Sequence, residues 1–188
     1  MLRILILLFL LPASALAQQK APPANPFFRY AGTKYMDYKW NDGDSFHVTM
    51  ADGKEQILRL YFVDAPESEN SFPERVAEQA AYFGITPERA IEIGKQAAAF
   101  TKATLDRPFT IQTRWRTALG RSKLPRYYAM VCTADGKDLN ELLVSVGLAR
   151  IYGTRTPLPD GTDSRTYLAR LAQIEGEAKK AGRGAWKH

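Results

Sequence analysis

The chain has 188 residues, 45% hydrophobic and 24% charged, with 26 Lys and Arg against 20 Asp and Glu. That length allows one domain with a sizeable core, and the composition excludes a disordered or low-complexity chain. A single cysteine, Cys132, excludes an intrachain disulfide, and two histidines give little basis for a zinc site or a Cys/His nucleophile. The net charge of +6 favours polyanionic partners such as nucleic acid without identifying one.

Met1-Leu2-Arg3 opens the chain with a positive charge, and residues 4–11 are an unbroken apolar run. Pro12 breaks that run, and Ala15-Leu16-Ala17 forms a small-x-small cleavage signal. This is the layout of a secretory signal peptide over residues 1–17. The apolar run is shorter than the roughly 20 residues a spanning helix needs. The expectation is therefore a secreted or periplasmic protein with no stable membrane association after cleavage. Without Arg3 the chain keeps 25 basic and 20 acidic residues, a net of +5. Residues 18–27 are polar and proline-rich and read as a flexible linker, which leaves one folded domain over residues 28–188.

A first strand is expected over residues 35–40, and Asp42-Gly43 makes a turn. Residues 45–50 alternate, with Phe46, Val48 and Met50 on one face, which is strand period. Ala51-Asp52-Gly53 signals a hairpin into a long strand over residues 55–63, which Asp64-Ala65-Pro66 ends. Ser71 and Glu74 have capping-box spacing before a short helix ending at Gly84. Thr86-Pro87-Glu88 starts a second helix, with Ile93, Ala97, Phe100 and Thr104 on its packing face. Strands are expected over residues 109–115 and 127–133, joined by a basic loop. Asp138 caps a helix closed by Gly147, residues 148–152 form a brief extended piece, and Asp163 caps a last helix from Ser164. Trp186 packs back on the core, and Cys132 reads as a small buried residue. Five short strands with helices between the third and fourth is the order of an OB-fold barrel. The fold class is thus α+β, mainly β: a five-stranded OB barrel with about three helices plus an extra short one.

Asp44 and Asp64 carry hard oxygen ligands beside strand ends. If Ser45 pairs with Val63 across the hairpin, both carboxylates lie at one end of the pair. Two carboxylates, a backbone carbonyl and waters make a reasonable calcium set, although either aspartate alone reads as a turn residue. Arg59 sits among Ile57, Leu58, Leu60, Tyr61 and Phe62, where a charge needs a partner or a wet pocket. A structural ion pair is the alternative for it. Glu67 follows Pro66 within reach of a water near such a metal, or is a solvated loop residue.

Asp42-Gly43-Asp44-Ser45 followed by Arg59-Leu60-Tyr61-Phe62-Val63-Asp64-Ala65-Pro66-Glu67 resembles the signature of the staphylococcal nuclease (thermonuclease) family. The resemblance continues through Ala99-Phe100-Thr101-Lys102, Ala134-Asp135-Gly136-Lys137, Asn140-Glu141-Leu142-Leu143-Val144 and Gly147-Leu148-Ala149, and covers most of residues 35–186. It implies an OB barrel with three helices and Ca2+ held by Asp44 and Asp64 with the carbonyl of Ala65. Glu67 would orient or deprotonate the attacking water, and Arg59 with a second arginine would hold the phosphate. Cleavage of the P–O5′ bond would leave 3′-phosphate ends on DNA and RNA, single-stranded or breathing, and the protein would act as a monomer.

The second arginine has two candidates. Arg126 keeps the family's Lys-x-x-Arg spacing from Lys123 and stands three residues before Ala129, so it is preferred. Arg121, in Gly120-Arg121, is the alternate and otherwise joins Lys123 and Tyr152 as a substrate-binding residue. Ala65 replaces the family's threonine but keeps its carbonyl. The base-stacking tyrosines are not cleanly matched; Leu124 replaces one, and Trp115 and Tyr152 are substitutes that also read as core. Residues 68–85 are longer than the family's usual link, and their helix is expected to flank the substrate groove. The rival reading is a non-catalytic OB module that holds nucleic acid in a basic groove. The complete set of Asp44, Arg59, Asp64, Glu67 and a second arginine favours the enzyme.

Overall fold

Alternation along the middle of the chain builds a closed barrel in the computed structural model, which describes residues 26–118 and 125–187. Its strands are β1 (Phe28–Tyr35), β2 (Ser45–Thr49), β3 (Glu55–Leu60), β5 (Phe109–Ala118) and β6 (Arg126–Cys132), in the order β1-β2-β3-β6-β5. A short pair, β4 (Val63–Asp64) and β7 (Arg150–Ile151), lies outside the barrel. The helices are α1 (Pro73–Phe83), α2 (Pro87–Thr104), α3 (Leu139–Ser145) and α4 (Ser164–Lys180), followed by a 3-10 turn, Gly184–Trp186. The expected OB-type α+β architecture is what the chain adopts. The signal peptide, Arg121, Lys123 and Leu124 lie outside the described residues.

Inward residues of each strand fill the barrel: Phe46 and Val48 of β2, Leu58 and Leu60 of β3, Ile111 of β5 and Ala129 of β6 are all buried. Each large one stabilises the fold by roughly 1.5–3 kcal/mol relative to exposure. β3 and β6 run parallel, so the chain between them must cross over, and α1, α2 and β5 make that crossing. Their register pairs Ile57 with Arg126 and Arg59 with Tyr128. Ile57 and Arg59 share the outer face of β3, and Arg126 arrives on that same face.

Three boundaries differ from expectation. The first strand is residues 28–35 rather than 35–40, and the segment after Tyr35 is a loop in which Tyr38 and Trp40 are exposed. Packing starts one residue earlier still: the Phe27 ring lies edge-on to Tyr61, with the Arg114 guanidinium 4.5 Å from its centre, so Phe27, expected in a linker, packs on the folded domain. The long strand over 55–63 breaks at Phe62, whose φ of 65° is left-handed. There the chain leaves the barrel and pairs with β7 instead, Val63 opposite Ile151 and Asp64 opposite Arg150. Within the hairpin, the register from Thr49 opposite Glu55 pairs Ser45 with Arg59, not Val63.

Helix ends follow the cap residues with one exception. Thr86, Asp138 and Asp163 each accept backbone N–H bonds at their N-caps. Ser71 does not cap α1; Phe72 holds the N-cap position, and Ser71 Oγ turns to Glu69. On α2 the buried face is Ala90, Ile93, Gly94, Ala97 and Thr101, with Phe100 and Thr104 only half-buried. Trp186 packs back as expected, its ring 4.8 Å from that of Phe83. Cys132 is half-buried, its thiol 3.8 Å from the carbonyl of Thr133, rather than enclosed in the core.

Candidate active site

Two loops are pressed onto the small-residue face of α2. Thr101 Oγ1 donates to the carbonyl of Gly43 at 2.7 Å. A Cβ on Gly43 would lie 2.6 Å from Ala97 Cβ and 2.9 Å from Ala65 Cβ. A Cβ on Gly94 would collide with the backbone carbonyl of Glu67. The absence of those side chains lets the Asp42–Asp44 and Ala65–Glu67 segments lie side by side on one helix. The first of them is also tied from behind: Asn41 Oδ1 accepts from His47 N at 2.9 Å and from His47 Nδ1 at 2.8 Å.

The carboxylates of Asp44 and Asp64 meet between these loops, both buried. One nitrogen of Arg59, Nη2, lies 2.9 Å from Asp44 Oδ2 and 2.8 Å from Asp64 Oδ1. The contact with Asp44 is an ion pair by distance only, and Asp44 Oδ2 has no hydrogen-bond donor. Burial pushes the Asp44 carboxyl up to about 7, against the opposing pull of Arg59. Burial and the charge of Glu67 push Asp42 up to about 6, with Ser68 Oγ donating to it at 3.1 Å. Asp64 has the opposite balance. Burial raises its pKa, but Arg75, a hydrogen bond from Gln79, Arg150 and Arg59 together hold it below the ordinary aspartate value.

Arg126 reaches the same place from β6, its Nη1 3.5 Å from Ser45 Oγ, with Nε buried and without a hydrogen-bond partner. Burial and the neighbouring Arg59 charge lower its pKa. Two guanidiniums therefore stand together beside the carboxylate pair, an arrangement that invites an anion. Glu67 completes the rim. Among the described residues no three Asp, Glu, His or Cys side chains form a metal cluster by themselves. Asp44, Asp64 and the Ala65 carbonyl nevertheless converge: Arg59 Nη2 bridges the two aspartates, and Gln79 Nε2 bridges Asp64 Oδ2 and Ala65 O, each at 3.0 Å. With the donorless Asp44 Oδ2, these oxygens suit a hard cation such as calcium.

Three site residues escaped the sequence reading. Arg75 of α1 pairs with both Asp64 and Glu67. Gln79, one helical turn on, also accepts from the Glu67 backbone N–H at 2.9 Å. Arg150 is buried, its Nε 2.8 Å from Asp64 Oδ2 and its Nη1 3.0 Å from Glu78. The helix of residues 68–85 thus enters the site instead of flanking it. Arg150 was detectable by the argument used for Arg59, a charge inside an apolar run.

Aromatic candidates divide. Tyr152 is half exposed, with the Arg150 guanidinium 4.2 Å from its ring centre, so it borders the site. Trp115 lies in the other mouth of the barrel, lining a cavity of about 530 Å³ with Tyr30 and Tyr127, its indole N–H bonded to Tyr30 Oη at 3.0 Å. Sequence comparison agrees with the geometry: the family model described as staphylococcal nuclease homologue matches residues 57–188, and the chain belongs to that family.

Proposed function

We propose that this protein is a calcium-dependent endonuclease that hydrolyses phosphodiester bonds of DNA and RNA to 3′-phosphate products. The observation that carries the reading is the convergence of Asp44, Asp64, Arg59, Arg126 and Glu67 at one end of the β2–β3 hairpin. Family membership supports a nuclease. The metal, the product ends and the roles of single residues are the finer part of the proposal.

Asp44, Asp64 and the carbonyl of Ala65 would hold the calcium, which supplies Lewis-acid neutralisation of the phosphate. Arg59 and Arg126 bind the phosphate through paired N–H groups, and their hold strengthens as the equatorial oxygens gain charge in the transition state. Glu67 orients or deprotonates the attacking water. Tyr152 offers an exposed ring to a base. Residues 1–17 would export the protein, and one chain carries every group named.

The test is digestion of plasmid and of RNA, with calcium and with chelator, by the wild type and by Glu67→Gln. Expected is cleavage of both substrates with calcium, loss with chelator, and a strong loss in Glu67→Gln. Equal digestion in chelator ends the calcium reading. Binding of single strands without cleavage under any condition replaces the enzyme with an OB-fold binding module.

A further inference from the structure

In the calcium reading, the gap between Asp64 and Glu67 belongs to the metal and its water. That gap is filled by a side chain. Arg75 spans it, with Nη2 on Asp64 Oδ1 and Nε on Glu67 Oε1. The rest of the donor set is engaged too. Asp64 Oδ1 also meets Arg59, while its Oδ2 takes Gln79 and Arg150. The Ala65 carbonyl accepts from Gln79 as well. Asp44 Oδ2 is ion-paired with Arg59 Nη2 but is buried without a hydrogen-bond donor among the described residues.

The helix that brings Arg75 is anchored. Val76, Ala80 and Phe83 are buried, and Gly84 ends it in the left-handed conformation. Phe83 packs on Trp186, and Glu78 pairs with Arg150. Arg75 itself is in the first turn, where a cation opposes the helix dipole. Its position there is therefore owed to the two carboxylates. Its side chain is 31% exposed, so it has a path to solvent without unfolding α1.

We propose that Arg75 is a positioning residue that serves as an internal counter-cation, holding Asp64 and Glu67 in place and competing with a divalent cation for the same oxygens. The proposal rests on the calcium-dependent reading above. Two cations cannot share the space between Asp64 and Glu67, so metal entry must break both Arg75 pairs. The metal affinity is then reduced by what those pairs are worth. Gln79 stays on the Glu67 backbone N–H and keeps the loop in register while Arg75 leaves.

The experiment is calorimetric titration of the metal-free full chain with calcium alone, for the wild type, Arg75→Gln and Arg75→Lys. Arg75→Gln removes the charge and keeps a polar side chain. It should tighten calcium binding up to about fivefold, the upper end of what a partly exposed ion pair is worth. Arg75→Lys keeps the competing charge and should stay near the wild type. Unchanged or weaker binding in a folded Arg75→Gln overturns the proposal. If Arg75→Gln does not fold, the Arg75 Nε–H resonance of the wild type decides. Calcium should abolish its hydrogen-bonded shift, and a resonance unmoved at saturating calcium overturns the proposal. Calcium-dependent digestion with equal affinities defeats only the competition. No calcium binding by any of the three chains, with digestion unaffected by chelator, defeats both readings.

Discussion

Two walls face each other across the site, and they are built differently. The strand wall carries Arg59 and Arg126 on the barrel, Asp44 just before β2 and Asp64 on β4, and strand pairing places them. Ser45 opposite Arg59 and Ile57 opposite Arg126 are backbone facts. The helical wall carries Arg75, Glu78 and Gln79 on α1, and they reach the site by side chain alone. The first wall gathers charge that a ligand must balance. The second balances it from within. A buried Asp64 without partners would be costly. Arg75 and Gln79 of α1, together with Arg59 of β3 and Arg150 of β7, offset that cost with the chain's own side chains.

The largest expected effect tests this internal balance. Arg150→Ala leaves Asp64 and Glu78 without their shared guanidinium, and Arg150 and Asp64 are both buried. The loss should be about 3–5 kcal/mol, read from urea unfolding in chelator. Calcium should restore part of it in Arg150→Ala. A loss below about 1 kcal/mol would mean that Arg59, Arg75 and Gln79 suffice for Asp64.

On the strand wall, if Arg126 holds the phosphate as proposed, Arg126→Ala should lower kcat by about 10²–10³-fold while stability changes little, because its side-chain hydrogen bond among the described residues is a 3.5 Å contact with Ser45. Arg121→Ala should lower it far less. If the two effects are reversed, the transition-state arginine belongs to residues 119–124 and Arg126 only lines the rim.

Legibility followed the same division. The strand wall was readable because alternation in Phe46, Val48 and Met50 and the charge of Arg59 inside an apolar strand are local signals. The family match begins at residue 57, so Asp44 rests on the Asp-Gly-Asp turn, the hairpin and the resemblance of Asp42-Gly43-Asp44-Ser45 to the family signature. The break at Phe62 was not readable, because a left-handed φ on a bulky residue leaves no mark in composition. The partner of Ser45 is Arg59 and not Val63 because the hairpin register runs unbroken from Thr49 opposite Glu55, and the break at Phe62 then turns β4 to pair with β7, which brings the carboxylates together. The first strand was misplaced because residues 35–40 are rich in aromatic residues that turn out to be exposed loop. On α1 the helix was readable, and its direction was not. Spacing reveals that Arg75 and Gln79 share a face, but only the packing of Val76, Ala80 and Phe83 turns that face toward Asp64.

Between the walls lies α2, and Gly94→Ala tests how finely it sets them. The added methyl meets the Glu67 carbonyl, so the Pro66-Glu67 segment must shift while Asp44, Arg59 and Arg126 stay. A displacement near 1 Å at Glu67 should cost up to about 10²-fold in kcat. Substrate binding, read by fluorescence anisotropy in calcium, should change much less. If binding and turnover fall together, the shift has passed through α2 to the Asp44 loop by way of Ala97 and Gly43.

The smallest effect concerns the back of the strand wall. Partial burial lowers the His47 pKa from its ordinary value, against the opposing charge of Glu55. The folded protein therefore prefers neutral His47. Its contribution to stability is present above about pH 6.5 and lost as pH falls through that value toward the lowered one. Asp42 and Asp44 act in the opposite sense. Their pKa values are raised to about 6 and about 7, so the stability they contribute is present at low pH and lost as pH rises through those values. The wild-type slope alone cannot separate them. The difference between wild type and His47→Gln, both in chelator, isolates the histidine. Wild type should lose stability relative to His47→Gln as pH falls from about 7 to 5, with a slope below about 1.4 kcal/mol per pH unit. A difference of the opposite sign would mean that protonated His47 is favoured in the fold. The clamp from Asn41 Oδ1 to His47 Nδ1 would then be strengthened by charge rather than limited by burial.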